Sequence, residues 1–179
     1  LNKNIINSTI PKKSENEKKI SILILGGSQG AEIFGKVVPT VIKMIKNEGY
    51  EIKIIQQCIK SQKNSLTRFY TENNIESFVF EFHKDILKLI LSSDLSITRC
   101  GASTIAELVH TLTPFIAVPL PNSIDNHQYL NAKYYENKGC CWLLEQKDFN
   151  TNRLFDLIME TIKNKNKLDN MRENMKKVS

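Results

Sequence analysis

The sequence predicts an α/β fold, a doubly wound, mostly parallel six-stranded sheet with helices on both faces. Short apolar runs alternate with longer stretches of helical period, the pattern of βαβ units whose right-handed crossovers cover a parallel sheet on both sides. The uncharged run Ile20-Ser-Ile-Leu-Ile-Leu25 enters a turn holding Gly26, Gly27 and Gly30 just before an amphipathic stretch. A second glycine-bearing turn, Arg99-Cys-Gly-Ala-Ser-Thr104, stands in the same relation to a later apolar run. In a doubly wound sheet both turns fall at strand carboxyl ends, where the ligand crevice lies.

The elements follow in order. Residues 1–18 are polar, rich in Asn, Lys, Ser and Glu with Pro11, and read as a linker or arm outside the core. After the first strand, Ile33, Phe34, Val37, Val38, Val41, Ile42 and Ile45 recur at helical spacing across 31–48. Pro39 inside that pattern predicts a kink, or a helix that begins near Val38, and Gly49 ends it. A second strand over 51–57, a polar helix over 62–74, a third strand over 77–82 and a short helix over 86–92 come next. The fourth strand, 94–98, leads through the second glycine turn into a helix over 104–112 closed by Pro114. A fifth strand over 115–118 runs into Pro119-Leu-Pro121. A helix over 125–137 stopped by Gly139, a sixth strand over 141–144, and helices over 151–164 and 167–177 finish the chain. The division expected is an arm (1–18), a ligand-binding domain (19–165) and a C-terminal helix or tail (166–179).

Composition narrows the function. At 179 residues, with 41% hydrophobic and 25% charged residues, the chain suits one globular domain with a substantial core. No uncharged apolar run approaches the roughly 18 residues of a membrane span. The start, Leu-Asn-Lys-Asn, lacks an initiator Met and a signal-peptide pattern, and reads as that of an excised fragment. The net charge of +6 comes from scattered lysines, densest at Lys12, Lys13, Lys18 and Lys19 and again at Lys163, Lys165, Lys167, Lys176 and Lys177. No aromatic residues are interleaved with them as in a nucleic-acid platform. They read as solvated faces, with attraction to an anionic membrane surface as the second account. Cys58, Cys100, Cys140 and Cys141 lack metal-ligand spacing and read as free thiols.

The first turn admits three nucleotide readings. A dinucleotide fingerprint needs Gly-x-Gly-x-x-Gly and an acidic residue ending the next strand. Ser28 and Ala31 stand in place of the second and third glycines, and Gln56 and Gln57 in place of the acid. A phosphate-loop pattern appears at Gly30-Ala-Glu-Ile-Phe-Gly-Lys-Val37, but Val37 replaces the Mg²⁺-holding hydroxyl and the match starts at the helix rather than before it. The third reading is a diphosphate cradle of Gly26, Gly27, Ser28, Gln29 and Gly30. Backbone N–H groups and the positive end of a helix dipole bind an anion there, and glycines let it approach the backbone. A structural turn without ligand stands beside it.

The second turn obeys the same physics. Gly101 permits a tight bend, and Ser103 or Thr104 caps the helix while presenting N–H groups to a second anion. Glu107 shares the face of Ser103 and Thr104 and is placed to accept both hydroxyls of a ribose; helix-dipole compensation is the other account. Asp125 is a candidate N-cap, and Asn126, His127 and Gln128 form a dense hydrogen-bonding set suited to sugar hydroxyls. His110 falls on a partly buried helical face. His83 follows the third strand at the crevice rim, where its backbone can pair with a base edge. No Asp-x-Asp, Gly-x-Ser-x-Gly, Cys–His pairing or His-rich cluster stands out. No metal site is expected, so helix dipoles and backbone donors would stabilise a departing diphosphate.

Together, Gly26-Gly-Ser-Gln-Gly-Ala31, Arg99-Cys-Gly-Ala-Ser-Thr-Ile-Ala-Glu107, and Asp125-Asn-His-Gln128 with Asn131-Ala132 resemble the C-terminal half of the MurG family of bacterial glycosyltransferases, glycosyltransferase family 28. The resemblance runs from about residue 20 to about residue 165, with the three motifs in the family's order. It implies a two-domain GT-B arrangement in which this Rossmann-like half holds the donor. The implied reaction is an inverting, metal-independent transfer of N-acetylglucosamine from UDP-N-acetylglucosamine (UDP-GlcNAc) to undecaprenyl-diphospho-N-acetylmuramoyl-pentapeptide, lipid I to lipid II of peptidoglycan synthesis. The implied donor site comprises Gly27, Ser28, Gln29 and Gly30, the stretch Ala102, Ser103, Thr104, Ile105, Ala106 and Glu107, and His83, His127 and Gln128. In it Ser28 contacts the donor, 102–107 hold diphosphate and sugar, Glu107 takes the ribose, main-chain groups at His83 meet the uracil, and Gln128 meets the N-acetylglucosamine.

No cofactor is implied. The implied partners are the donor, an N-terminal domain bearing the catalytic histidine and acceptor loop, and, through that domain, the lipid-linked acceptor and an anionic membrane surface; nucleic acid is not among them. The implied location is peripheral, at the cytoplasmic face of the bacterial inner membrane, with the fragment itself soluble. Two departures stand out: His127 occupies a position where many relatives have Gln, and the family's Asn-Pro-x-Arg segment is not seen before Ile20. With the N-terminal domain missing, no catalytic residue is expected in this chain, and alone it should turn over little or nothing. A UDP-GlcNAc-binding subunit of a dolichol-pathway transferase and a non-catalytic nucleotide-sugar sensor remain as other readings.

Overall fold

The computed structural model describes residues 19–27 and 30–179. The arm over 1–18 lies outside them, as do Ser28 and Gln29 of the first glycine turn. In chain order the described elements are β1 (Lys19–Leu25), α1 (Glu32–Asn47), β2 (Glu51–Gln57), α2 (Lys63–Glu72), β3 (Glu76–Phe80), α3 (Ile86–Leu91) and β4 (Leu95–Thr98). They continue with α4 (Ala102–His110), β5 (Phe115–Ala117), α5 (His127–Asn137), β6 (Cys141–Leu143), α6 (Thr151–Lys163) and α7 (Lys165–Val178).

The six strands form one sheet in the order β3-β2-β1-β4-β5-β6, every pairing parallel. The doubly wound sheet expected from the sequence is therefore present. Side chains alternate across a pleated strand, so β1 feeds both cores. Ile22 and Ile24 pack with Phe34, Val38 and Ile42 of α1 and with Leu154 and Ile158 of α6. Leu23 and Leu25 pack with Ile105 and Leu108 of α4 and with Phe115. Burial on both faces explains why these strands read as unbroken apolar runs. The chain winds outward from β1 to β3, then returns to start β4 beside β1. That reversal sets the carboxyl ends of β1 and β4 side by side, Leu25 opposite Thr98.

Several expectations are corrected. Pro39 neither starts nor splits α1, which runs continuously across it. Burial of Phe34, Val38, Val41, Ile42 and Ile45 on both sides of the proline outweighs its penalty of about 3 kcal/mol. The helix after β4 begins at Ala102 rather than at 104, and it ends at His110 because Leu112 takes φ +57°. His110 is exposed, since the buried face of α4 is Ile105, Leu108 and Val109. Asp125 is not an N-cap: it sits in a 3₁₀ turn, Ile124–Asn126, with φ 50°, and Asn126 precedes α5 in the left-handed region. The last helix starts at Lys165 and buries Met171 and Met175, and Met175 joins the cluster that holds Leu108 of α4. All four cysteines are free and buried, and burial pushes the Cys100 thiol up to about 12.

Candidate functional site

The two glycine turns are neighbours because β1 and β4 are. The Arg99 N–H, one residue past β4, donates to the Leu25 carbonyl at 3.1 Å. The first corner is closed by the Gly30 N–H donating to the Gly27 carbonyl at 3.0 Å. Gly27 and Gly30 have φ of +81° and +70°, a region costly for residues with a Cβ. Ala31, the N-cap of α1, makes no side-chain capping bond. Among the described residues no side chain caps the first turn of that helix, whose leading N–H groups have no intrahelical acceptor.

The second corner is built differently. Gly101 is the N-cap of α4, with no side-chain capping bond, and the Ile105 N–H donates to the Gly101 carbonyl at 3.1 Å. Ser103 and Thr104, expected as caps, are instead the second and third residues of the helix. The N–H groups of Ala102, Ser103 and Thr104 precede the first intrahelical bond and stay available to an anion. Gly101 has φ −63° and ψ 142°, which any residue adopts, and a Cβ there would meet nothing within 4 Å. The expected tight bend is absent, and the fold does not demand glycine at this position.

Polar side chains from elsewhere tie these loops together. Gln57, at the end of β2, accepts from the Gly26 N–H at 3.1 Å through Oε1 and donates through Nε2 to the Glu81 carbonyl at 3.3 Å. It joins the first corner to the loop that carries His83. The His83 Nδ1 accepts from the Asp85 N–H at 3.1 Å, and its ring stands edge-on to Phe78 and Phe80. Among the described residues its main-chain N–H and C=O make no hydrogen bond. The pinned ring thus leaves the backbone edge open.

Gln128 and Asn131 sit three apart on α5 and share a face. Gln128 Oε1 accepts from the N–H of Cys100 at 3.0 Å and of Leu120 at 2.9 Å. Two backbone donors at one oxygen fix the amide orientation and turn its NH₂ away from them. Asn131 Nδ2 donates to the Cys100 carbonyl at 3.1 Å. His127 is exposed, and its Nδ1 donates to the Ile124 carbonyl at 2.8 Å. A cavity of about 380 Å³ opens at the carboxyl ends of β5 and β6, lined by Pro119, Pro121, Asn126, Tyr129, Glu145 and Gln146 among others.

Glu107 lies past the first turn of α4, which contains no acidic residue. Its carboxylate is exposed and makes no ion pair or hydrogen bond among the described residues. Dipole compensation, which fades beyond the first turn, therefore leaves it without a structural task. Ala106 is exposed beside it, whereas the Ile105 side chain turns into the core at 1% exposure. Ser28 and Gln29 lie outside the described residues. Among the described residues no group of three or more His, Cys, Asp and Glu is placed to hold a metal ion.

Three residues of this arrangement were given no role by the sequence: Gln57, Asn131 and Arg99. Arg99 is only 7% exposed. Its Nη1 donates to the carbonyls of Val118 (3.3 Å) and Pro119 (3.2 Å), and its Nη2 to Gln146 Oε1 at 2.6 Å. Its Cζ lies 5.1 Å from the centroid of the Phe34 ring. The only sequence signal was the place of Arg99 and Asn131 within the recognised motifs, since each bond depends on a loop far away in the chain.

Comparison with known proteins bears on this geometry. The profile of the glycosyltransferase family 28 C-terminal domain matches residues 21–179. The UDP-N-acetylglucosamine–N-acetylmuramyl-(pentapeptide) pyrophosphoryl-undecaprenol N-acetylglucosamine transferase of Pelagibacter ubique is 41% identical over 177 residues, 98% of this chain and 49% of the relative. The protein of the same name from Rickettsia bellii is 35% identical over 181 residues, 99% of this chain and 51% of the relative. The chain thus spans about half the length of the curated relatives it matches. The crystal structure of Acinetobacter baumannii MurG is similar at a TM-score of 0.80 and 28% identity, over 92% of this chain and 46% of that one.

Proposed function

This chain belongs to the glycosyltransferase family 28 C-terminal domain family, and on that premise we propose that it is the donor-binding half of an N-acetylglucosaminyltransferase. Its donor is UDP-GlcNAc, and its acceptor is the undecaprenyl-diphospho-muramoyl-pentapeptide, converted from lipid I to lipid II. The observation that carries the reading is the pairing of the two glycine corners through the Arg99 N–H and the Leu25 carbonyl. It brings the starts of α1 and α4, neither with a side-chain capping bond, together at the carboxyl ends of the two central strands. Each start attracts negative charge, and a diphosphate has two phosphates to share between them.

In this reading Gly27, Ser28, Gln29 and Gly30 and the first turn of α4 hold the diphosphate. Glu107 accepts the ribose hydroxyls, the open backbone edge of His83 pairs with the uracil, and the NH₂ of Gln128 donates to the sugar. An acceptor hydroxyl oxygen attacks C1 of N-acetylglucosamine on the face opposite the UDP oxygen. The C1–O bond to the diphosphate breaks, the configuration inverts, and the hydroxyl proton passes to a base in the other half of the enzyme. This half supplies fixed donors and dipoles for the charge that develops on the leaving UDP, and we propose that it does so without a metal ion. Among the described residues no helix is long and apolar enough to cross a membrane; the proposed place of work is peripheral, at the cytoplasmic face of the inner membrane.

Calorimetric titration tests the reading. Saturable binding of UDP-GlcNAc in the presence of EDTA is expected, with UDP-glucose weaker. Absence of UDP binding overturns the reading, and a requirement for Mg²⁺ overturns its metal-independent part. Gly101→Ala separates site from scaffold. With nothing within 4 Å of the added Cβ, the unfolding midpoint should stay at the parent value. UDP affinity should fall about tenfold, ~1.4 kcal/mol, because the methyl group holds the ligand off the backbone. Unchanged affinity would mean that the donor does not approach α4 at its N-cap.

A further inference from the structure

We propose that Arg99 is the buried counter-charge of the donor diphosphate, a positioning residue that fixes the β5–α5 loop while holding one positive charge behind the glycine corners. This inference rests on the reading of the crevice as a nucleoside-diphosphate site.

A guanidinium buried to this depth ordinarily has a carboxylate beside it, because an uncompensated buried charge is costly. Among the described residues Arg99 makes no ion pair. Its acceptors are all neutral: two backbone carbonyls and the Gln146 amide. Its Nε is buried with no hydrogen-bond partner. The Phe34 ring offers partial compensation through its π face. Burial lowers the Arg99 pKa, yet a guanidinium stays protonated in proteins.

The surroundings increase the demand for an anion. Arg99 follows β4 directly, and a Cβ on Gly27 would lie 3.8 Å from the Arg99 Cβ, so the side chain departs from directly behind the first corner. It reaches Phe34 in the opening turn of α1, and the starts of α1 and α4 carry no side-chain caps. The guanidinium and the two helix starts thus each add positive potential around the paired corners. Of the carboxylates on the elements around it, Glu32 is paired with Lys36 at 2.9 Å and Glu145 with Lys147 at 3.5 Å, and Glu107, on the exposed face of α4, makes no bond to the guanidinium among the described residues. A diphosphate between the corners supplies the missing negative charge. In the low dielectric behind the corners that attraction is screened far less than at a surface.

The same guanidinium organises the loop. By holding the carbonyls of Val118 and Pro119 and the side chain of Gln146, it fixes the departure of the chain from β5 toward Asn126, His127 and Gln128. A neutral residue could serve these acceptors. What it could not supply is a permanent charge, and the dependence of binding on ligand charge therefore distinguishes the two roles.

The test measures the affinities of uridine, UMP and UDP for the chain and for Arg99→Gln and Arg99→Lys, with urea unfolding of each. In Arg99→Gln the loss should grow with ligand charge: near parent affinity for uridine, intermediate for UMP, at least tenfold weaker for UDP. Arg99→Lys should recover part of the UDP loss. Equal losses for all three ligands, or no loss for UDP, overturn the proposal. Should Arg99→Gln fail to fold, the parent chain supplies the answer by NMR. The Arg99 Nε–H, identified by its cross-relaxation to the Phe34 ring, should shift on saturation with UDP and stay in place with uridine; no shift with UDP overturns the proposal. If the parent chain binds no UDP, the reading of the crevice has failed. If it binds UDP and the variants show no charge dependence, only the role of Arg99 has failed.

Discussion

Phe34→Ala is expected to lower the unfolding free energy by about 3–5 kcal/mol, the usual range for emptying a buried phenylalanine site. The ring is fully buried in the first turn of α1. It lies 5.2 Å from the Phe149 ring, centroid to centroid, at 48°, and it covers the Arg99 guanidinium at 5.1 Å. Packing on both sides restricts collapse into the space it leaves, which keeps the cavity cost high. The variant also strips a buried cation of its π partner, an added loss of about 0.5–2 kcal/mol. Urea unfolding followed through Trp142, the single tryptophan, measures the effect from the midpoint at constant slope. A loss below about 1 kcal/mol would contradict the packing described for this turn.

Glu107→Ala is expected to weaken UDP binding by about 1–3 kcal/mol, the range for losing hydrogen bonds to a charged group. The factor is roughly 5 to 150 in affinity. Stability should hold within about 0.5 kcal/mol, because the side chain is exposed and partnerless among the described residues. The 2′-deoxy form of UDP sharpens the test. The parent chain should bind it more weakly than UDP, and the variant should bind both alike, a coupling that a double-mutant cycle isolates. Glu107→Gln, which keeps one acceptor oxygen, should fall between. Unchanged UDP affinity in Glu107→Ala would make Glu107 an ordinary solvated position of α4.

The limits of the sequence are plain at Arg99 and Gln57. As letters in a chain, a lone arginine after a strand and a glutamine ending another look like surface residues. Each proves to be a tie between loops about 20 to 50 residues apart. Helix starts failed for a related reason. Ser103, Thr104 and Asp125 are all good caps by type, but the side-chain capping bond depends on where the preceding strand releases the chain. At α4 that point is Gly101, and at α5 it follows a loop in which Asp125 and Asn126 take left-handed conformations. The continuation of α1 through Pro39 is also a tertiary effect, with buried neighbours on both sides overriding a local preference.

Periodicity and glycine placement determined the alternation of strands and helices, the doubly wound class and the two glycine corners, because apolar spacing records which face each element buries. The order β3-β2-β1-β4-β5-β6 then decided which corners meet, which polar side chains reach across, and that the acceptors of buried Arg99 among the described residues are all neutral. Those outcomes depend on contacts between segments distant in the chain, and no local pattern encodes the partner of a polar group.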